Sequence, residues 1–312
     1  MDKSSVEINR RKPAGLALTA GIVAFVMAGT SVALSTYLAP RVGNLSTAFL
    51  SIPGALLVLV PLAWPVLRKP QAFRPTPRAL VPCVLQALGG VVVFRLMTTW
   101  ASHTTSLGVA GIVFATGPVV LALGGALFFK DSLRWKDGVA LVLASAGLLL
   151  LRSDKTMAAS PEGLLFLFVA VLGEAAMSLI RRRGGESLLD YRVNALYTIV
   201  CALVLLTPFA MVEWATQGFP ALDGETVLLF LFYGVGSTAI GYISWSFAAA
   251  RLSSVVIGLC SAAAPLTTLV VSVLVFRESP GMAALVGWAV ALAGVLLCVL
   301  SVGGYQRSPV RH

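Results

Sequence analysis

Ten long apolar runs, parted by short stretches of charge, proline, glycine or asparagine, fill this chain of 312 residues almost from end to end. They fall near 16–36, 45–67, 79–101, 106–129, 134–151, 163–180, 192–213, 225–248, 253–276 and 281–302. A run of about 20 apolar residues, wound as a helix, matches the hydrocarbon core of a bilayer. Apolar residues make up 58% of the chain and charged ones only 12%, against about 45–50% and about 25% in soluble domains. A water-soluble fold is thereby excluded, and no length remains for a separate soluble domain. Lipid offers the backbone no hydrogen-bond partner, and the runs lack the period-two alternation of barrel strands, so each is expected to be a helix. The expected fold class is an all-α integral membrane protein with ten transmembrane helices.

The net charge of +10 sits in short tracts between the apolar runs, which argues for membrane topology rather than a nucleic-acid partner. With the N-terminus inside, the cytoplasmic segments hold 18 lysines and arginines and the opposite side only four: Arg41, Arg152, Lys155 and Arg277. This asymmetry predicts both termini in the cytoplasm of a multi-pass plasma (inner) membrane protein, with residues 181–192 inside and 214–224 outside. The run after Arg10, Arg11 and Lys12 has about 21 residues, too many for a signal-peptide core, and is read as a retained first helix. Four cysteines without CxxC spacing and two histidines predict neither a disulfide framework nor a metal site.

Sliding the chain on itself reveals a duplication at an offset of 147 residues. Pro118 meets Pro265, the turn Phe129-Lys130-Asp131-Ser132 meets Phe276-Arg277-Glu278-Ser279, and Gly147 meets Gly294. Ala101, Ser106 and Gly111 meet Ala248, Ser253 and Gly258. Five helices per copy is an odd number, so the second copy enters the membrane from the opposite side. Inverted repeats around a central site are a recurring carrier plan, in which one side opens as the other closes.

These segments resemble the EamA repeat, and the chain is similar to the drug/metabolite transporter superfamily over nearly its whole length. The resemblance rests on a small-residue helix start, a mid-helix proline (Pro118, Pro265), an acidic residue closing that helix (Asp131, Glu278) and a glycine-bearing final helix (Gly147, Gly294). It departs at Asp131, where glutamate is usual, and at Gly29-Thr30-Ser31, where many members carry a tryptophan. The family implies repeats over 14–152 and 161–303, a secondary carrier, commonly an exporter, and a cavity lined by helices 1, 3, 4, 6, 8 and 9. Asp131 and Glu278 are read as loop clamps rather than site residues.

Within the spans only Arg95 and Glu174 are ionisable groups far from a helix end. Each costs a few kcal/mol facing lipid, so both are expected to face the interior, either pairing with one another or serving transport. Arg95, Thr98, Thr99 and Ser102 share a helix face, as do Ser237, Thr238, Gly241, Tyr242 and Trp245. The offset sets Arg95 against Tyr242. Thr30, Ser31 and Ser261 complete the candidate substrate-binding set of Arg95, Glu174, Thr30, Ser31, Thr98, Thr99, Tyr242, Trp245 and Ser261. Pro118 and Pro265 free backbone carbonyls in mid-membrane and are candidate gates, or static bends. The paired glycines Gly89/Gly90, Gly124/Gly125 and Gly234/Gly236 are assigned to helix packing, since no GK[ST] follows.

The function expected is a secondary transporter exporting a small amino-acid-like zwitterion by alternating access, without cofactor, metal or catalytic residues, as a monomer or weak homodimer in the bilayer. Protons are a candidate co-substrate through Glu174. A multidrug or organic-cation exporter and a membrane enzyme acting on a lipid head group are the alternatives. The enzyme would need a cluster of carboxylates, histidines or a nucleophile at one membrane face, which the sequence lacks.

Overall fold

A computed structural model describes residues 3–68, 77–129, 159–184, 189–249 and parts of 139–146 and 251–293. Among the described residues the chain is helical apart from turns and one isolated bridge, Thr105 with Ala159. Seven spans among the described residues are long and apolar enough to cross a membrane: Gly15–Val42, Asn44–Leu67, Leu80–Ala101, Leu107–Phe129, Pro161–Arg181, Tyr191–Gln217 and Gly224–Ala249. A shorter apolar helix follows at Ala263–Leu274. The expected fifth and tenth spans, and with them Asp131 and Gly294, lie largely or wholly outside the described residues.

The helices are α1 (Lys3–Val42), α2 (Asn44–Leu50), α3 (Pro53–Leu67), α4 (Pro77–Ala87), α5 (Phe94–Ala101), α6 (Leu107–Phe114), α7 (Gly117–Phe129), α8 (Pro161–Gly184), α9 (Tyr191–Gln217), α10 (Gly224–Phe232), α11 (Gly241–Ala249) and α12 (Ala263–Leu274). Two π-helical stretches, Leu88–Val93 and Tyr233–Ile240, join α4 to α5 and α10 to α11. The first helix outruns its expected bounds of 16–36, since no residue before Gly43, at φ 94°, breaks its winding. Arg181, expected in the cytoplasmic loop, is instead helical and buried. Its Nη1 donates to Asn194 Oδ1 at 3.1 Å, inside a polar cluster that also holds Gln86 and Ser246. That acceptor satisfies one of the five guanidinium donors.

Two of the spans break at a turn, and the prolines explain where. Pro53 opens α3, and the residues before it, Ser51 and Ile52, form the turn that separates it from α2. Pro118 and Pro265 each lie in the first turn of a helix, α7 and α12, where a missing N–H costs no helical bond. The fourth span accordingly breaks at Ala115–Thr116, just before Pro118, rather than bending in the middle of one helix. Pro61 and Pro208, by contrast, lie inside α3 and α9.

The internal duplication extends into the core. Ala48, Ile52, Ala55 and Leu59 match Ala195, Ile199, Ala202 and Leu206 at the 147-residue offset, and all eight are buried in one cluster where α2 and α3 meet α9. The outer surface is apolar too. Leu57, Leu127, Val204 and Leu228 are each 65% exposed or more, a belt that hydrocarbon accepts and water would not. Glycines bring two helix pairs to backbone contact: a Cβ added at Gly173 would lie 2.5 Å from the carbonyl oxygen of Gly89, and one at Gly234 would lie 2.7 Å from Cα of Gly54. Both contacts involve a π-helical stretch, so Gly89 and Gly234, assigned to packing from sequence, do pack there.

Candidate functional site

A cavity of about 70 Å³ lies among the first, third, sixth and eighth spans. From α1 it is lined by Ala24, Phe25, Ala28 and Ser31; from the third span by Gly90, Val91, Phe94 and Arg95; from α8 by Glu174 and Met177; and from the eighth span by Ser237, Gly241, Tyr242 and Trp245. The π-helical stretches end at Val93 and Ile240, 147 residues apart. Two residues after each comes the side chain that enters the cavity: Arg95 in the first half, Tyr242 in the second. Such wide turns frequently mark functional sites.

Of the nine substrate-binding candidates, Ser31, Arg95, Glu174, Tyr242 and Trp245 line this cavity. Four do not. Thr30 Oγ1 donates to the Val26 carbonyl at 2.9 Å, Thr98 to Arg95 at 3.0 Å and Thr99 to Leu96 at 3.0 Å, so these hydroxyls serve their own helices. Ser261 sits in the turn before α12. Of the gating candidates, Pro265 is buried next to that turn, and Pro118 comes just after the break in the fourth span.

Arg95 and Glu174 share the cavity without forming an ion pair. The guanidinium spends Nη1 on Ser51 Oγ and Nη2 on Thr238 Oγ1, the latter at 2.6 Å, and rests 4.5 Å above the ring centre of Tyr233. Thr238 Oγ1 in turn donates to the Ser51 carbonyl at 3.0 Å, and Ser35 Oγ meets Tyr233 Oη at 2.8 Å. Ser51, Tyr233 and Thr238 are all buried. Glu174 is half-buried and lines the cavity from α8. Two further cavity atoms, Ser237 Oγ and Trp245 Nε1, have no hydrogen-bond partner among the described residues. A buried cation with no carboxylate beside it, a separate carboxylate and two unpaired polar atoms, walled by Phe25, Phe94, Met177, Tyr242 and Trp245, make a pocket for a small molecule with poles of both signs and an apolar body.

Ser51 and Tyr233 were not foreseen from sequence. The repeat register carried the signal, since Ser51 aligns with Thr198 and Tyr233 with Gln86, all buried polar groups. Two carboxylates act elsewhere as clamps. Glu278 accepts from the backbone N–H groups of Leu107 and Gly108, each at 3.0 Å, at the start of α6. Glu213, buried near the end of α9, accepts from the N–H groups of Leu45 and Ser46 at 3.2 and 2.6 Å, and so caps α2. Each joins one half of the chain to the other through an exposed helix N-terminus. At the same end of the molecule Tyr37 Oη donates to Glu225 at 2.8 Å, and His103 meets Asn44 at 2.8 Å. Asp223, just before the eighth span, caps α10 and is held below the ordinary carboxylate range by its hydrogen bonds from Thr226.

Comparison with known proteins agrees with this architecture. A probable terminal-alkyne amino-acid exporter of Streptantibioticus cattleyicolor is 27% identical over 239 residues, 75% of this chain and 78% of the relative. An uncharacterized transporter of Bacillus subtilis, YetK, is 20% identical over 289 residues, covering 89% and 84% of the two chains. A protein crystal structure superposes with a TM-score of 0.65 at 20% identity, over 93% of this chain and 98% of its own, which supports the fold. The EamA-like transporter family matches residues 15–153 and again residues 161–300. With two helical units, a duplicated core and one cavity shared between them, the chain belongs to the EamA-like transporter family of the drug/metabolite transporter superfamily.

Proposed function

We propose that this transporter is a secondary carrier that exports a small amino-acid-like zwitterion through the cavity between its halves. The family is one of transporters, not enzymes. The observation that carries the reading is that Arg95, from the first half, and Glu174, from the second, enter one cavity from different helices without neutralising each other. A carboxylate on Arg95 and an ammonium on Glu174 would satisfy both charges at once, which neither lipid nor an apolar drug does. The exporter of Streptantibioticus cattleyicolor supports an amino-acid cargo.

In this reading ten helices form two inverted five-helix repeats over 14–152 and 161–303, in the plasma (inner) membrane, with both termini in the cytoplasm. Substrate taken from the cytoplasm leaves on the far side as the repeats rock. Glu174, facing the cavity, is the group able to exchange a proton with it, which would drive export against a gradient. The test is counterflow in proteoliposomes with labelled leucine, phenylalanine and methionine beside polyamines and amphipathic cations. Exchange of amino acids is expected; exchange of the cations alone would make the protein an organic-cation carrier. Labelling of a cysteine at Gly218 but not at Gly185 from outside intact cells is expected, and the reverse would overturn the orientation.

A further inference from the structure

Resting on the carrier reading above, we propose that Ser51 and Thr238 are positioning residues that turn Arg95 into a carboxylate-selective anchor. The two hydroxyls take one donor from each terminal nitrogen, Nη1 and Nη2, and the Tyr233 ring covers one face of the guanidinium. No other protein acceptor meets it among the described residues, so the edge bearing Nε is left for a ligand. That edge offers two parallel N–H groups, which match the two oxygens of a carboxylate.

The seat is fixed rather than fortuitous. Ser51 is held in the turn between α2 and α3, where its own hydroxyl donates to the Ala48 carbonyl at 2.7 Å. Thr238 lies in the second π-helical stretch and its hydrogen is committed to the Ser51 carbonyl. Each hydroxyl therefore has only lone pairs to offer Arg95, and neither can rotate to donate to a substrate anion in its place. Neither residue lines the cavity, so both act through the arginine. Since both partners are neutral, the positive charge stays uncompensated until an anion arrives. The selected class is thus carboxylates, and an amide of the same body and ammonium is rejected.

The experiment measures binding of leucine and phenylalanine, and of their amides, to the purified full chain by calorimetry, with Trp245 fluorescence as a second reporter. The wild type is expected to hold each acid at least about ten-fold more tightly than its amide. Thr238→Val and Ser51→Ala are expected to bring that ratio close to one while leaving amide affinity unchanged, and Thr238→Ser is expected to keep it. A role in packing alone would weaken acid and amide alike, and that outcome overturns the proposal, as does a wild-type ratio in both variants. Thr238→Val also deprives the Ser51 carbonyl of its donor; if that variant does not fold, Ser51→Ala, which leaves the carbonyl paired, decides. Equal binding of acid and amide by the wild type would overturn the anchor and leave the carrier reading standing. Binding of neither would overturn both.

Discussion

The third and eighth spans occupy matching places in the two halves and share a π-helical stretch ending at matching residues, yet they deliver different chemistry to the cavity. The third brings Arg95, seated on Ser51 and Thr238; the eighth brings Tyr242, whose hydroxyl reaches Met177 Sδ at 2.8 Å. The second and seventh spans behave otherwise. Ile52 and Ile199, Ala55 and Ala202, and Leu59 and Leu206 have stayed identical and buried together. Where the halves touch each other, packing tolerates only matched volumes; where they face empty space, the side chains were free to diverge. In the carrier proposed above, this asymmetry would hold a substrate in one orientation.

That contrast can be broken most severely at Arg95. Arg95→Gln is expected to lower counterflow by about 100-fold, since it removes the only cation among the described cavity residues, whereas Tyr242→Phe should lower it by less than about ten-fold. Equal losses would mean that the two positions still work as equivalents. Next, Ile52→Ala and Ile199→Ala are each expected to destabilise the folded chain by about 2 kcal/mol or more, and by similar amounts, as read from denaturation in detergent. A large difference between them would show that the core had diverged as the cavity has.

Smaller effects are expected at the ends of the spans. Glu213→Gln removes the charge and leaves one accepting oxygen, so that the amide NH2 faces one of the two N–H donors of α2, and it should cost about 1–2 kcal/mol of stability without altering substrate affinity. The smallest effect concerns Asp223. Its carboxylate is stabilised in the folded state, so its contribution is present above the unfolded pKa and is lost as pH falls through the lower, folded value. A slight loss of melting temperature below about pH 4 is expected, and Asp223→Asn should abolish that component; an unchanged acid profile in the variant would remove the cap from the account.

Much of this was legible in the sequence because the bilayer imposes a simple rule on composition: the apolar runs that fall on described residues are helices, and the repeat register placed Arg95 opposite Tyr242. Glu278, read as a clamp, is one. Illegible were the features that depend on where a helix is broken or how far it extends. Glu213 reads as the edge of a span, but α9 continues to Gln217 and takes the carboxylate inside. Arg181 reads as a loop charge because no single-residue rule reveals that Asn194 waits in the neighbouring helix to receive it. Thr98 and Thr99 share a helical face with Arg95, but a threonine can always spend its hydroxyl on its own backbone, and these do.

The two π-helical stretches also decide where the transporter tolerates a change of length. In an α-helix each residue turns the chain by about 100°, so removing one from an unbroken helix swings everything after it by about that angle. A wide turn already holds one residue in excess, and removing one between Leu88 and Val93 is expected to leave an ordinary turn with Arg95 still facing the cavity. The same deletion within α8, ahead of Glu174, would carry that carboxylate to another face of its helix while every side chain remained chemically intact.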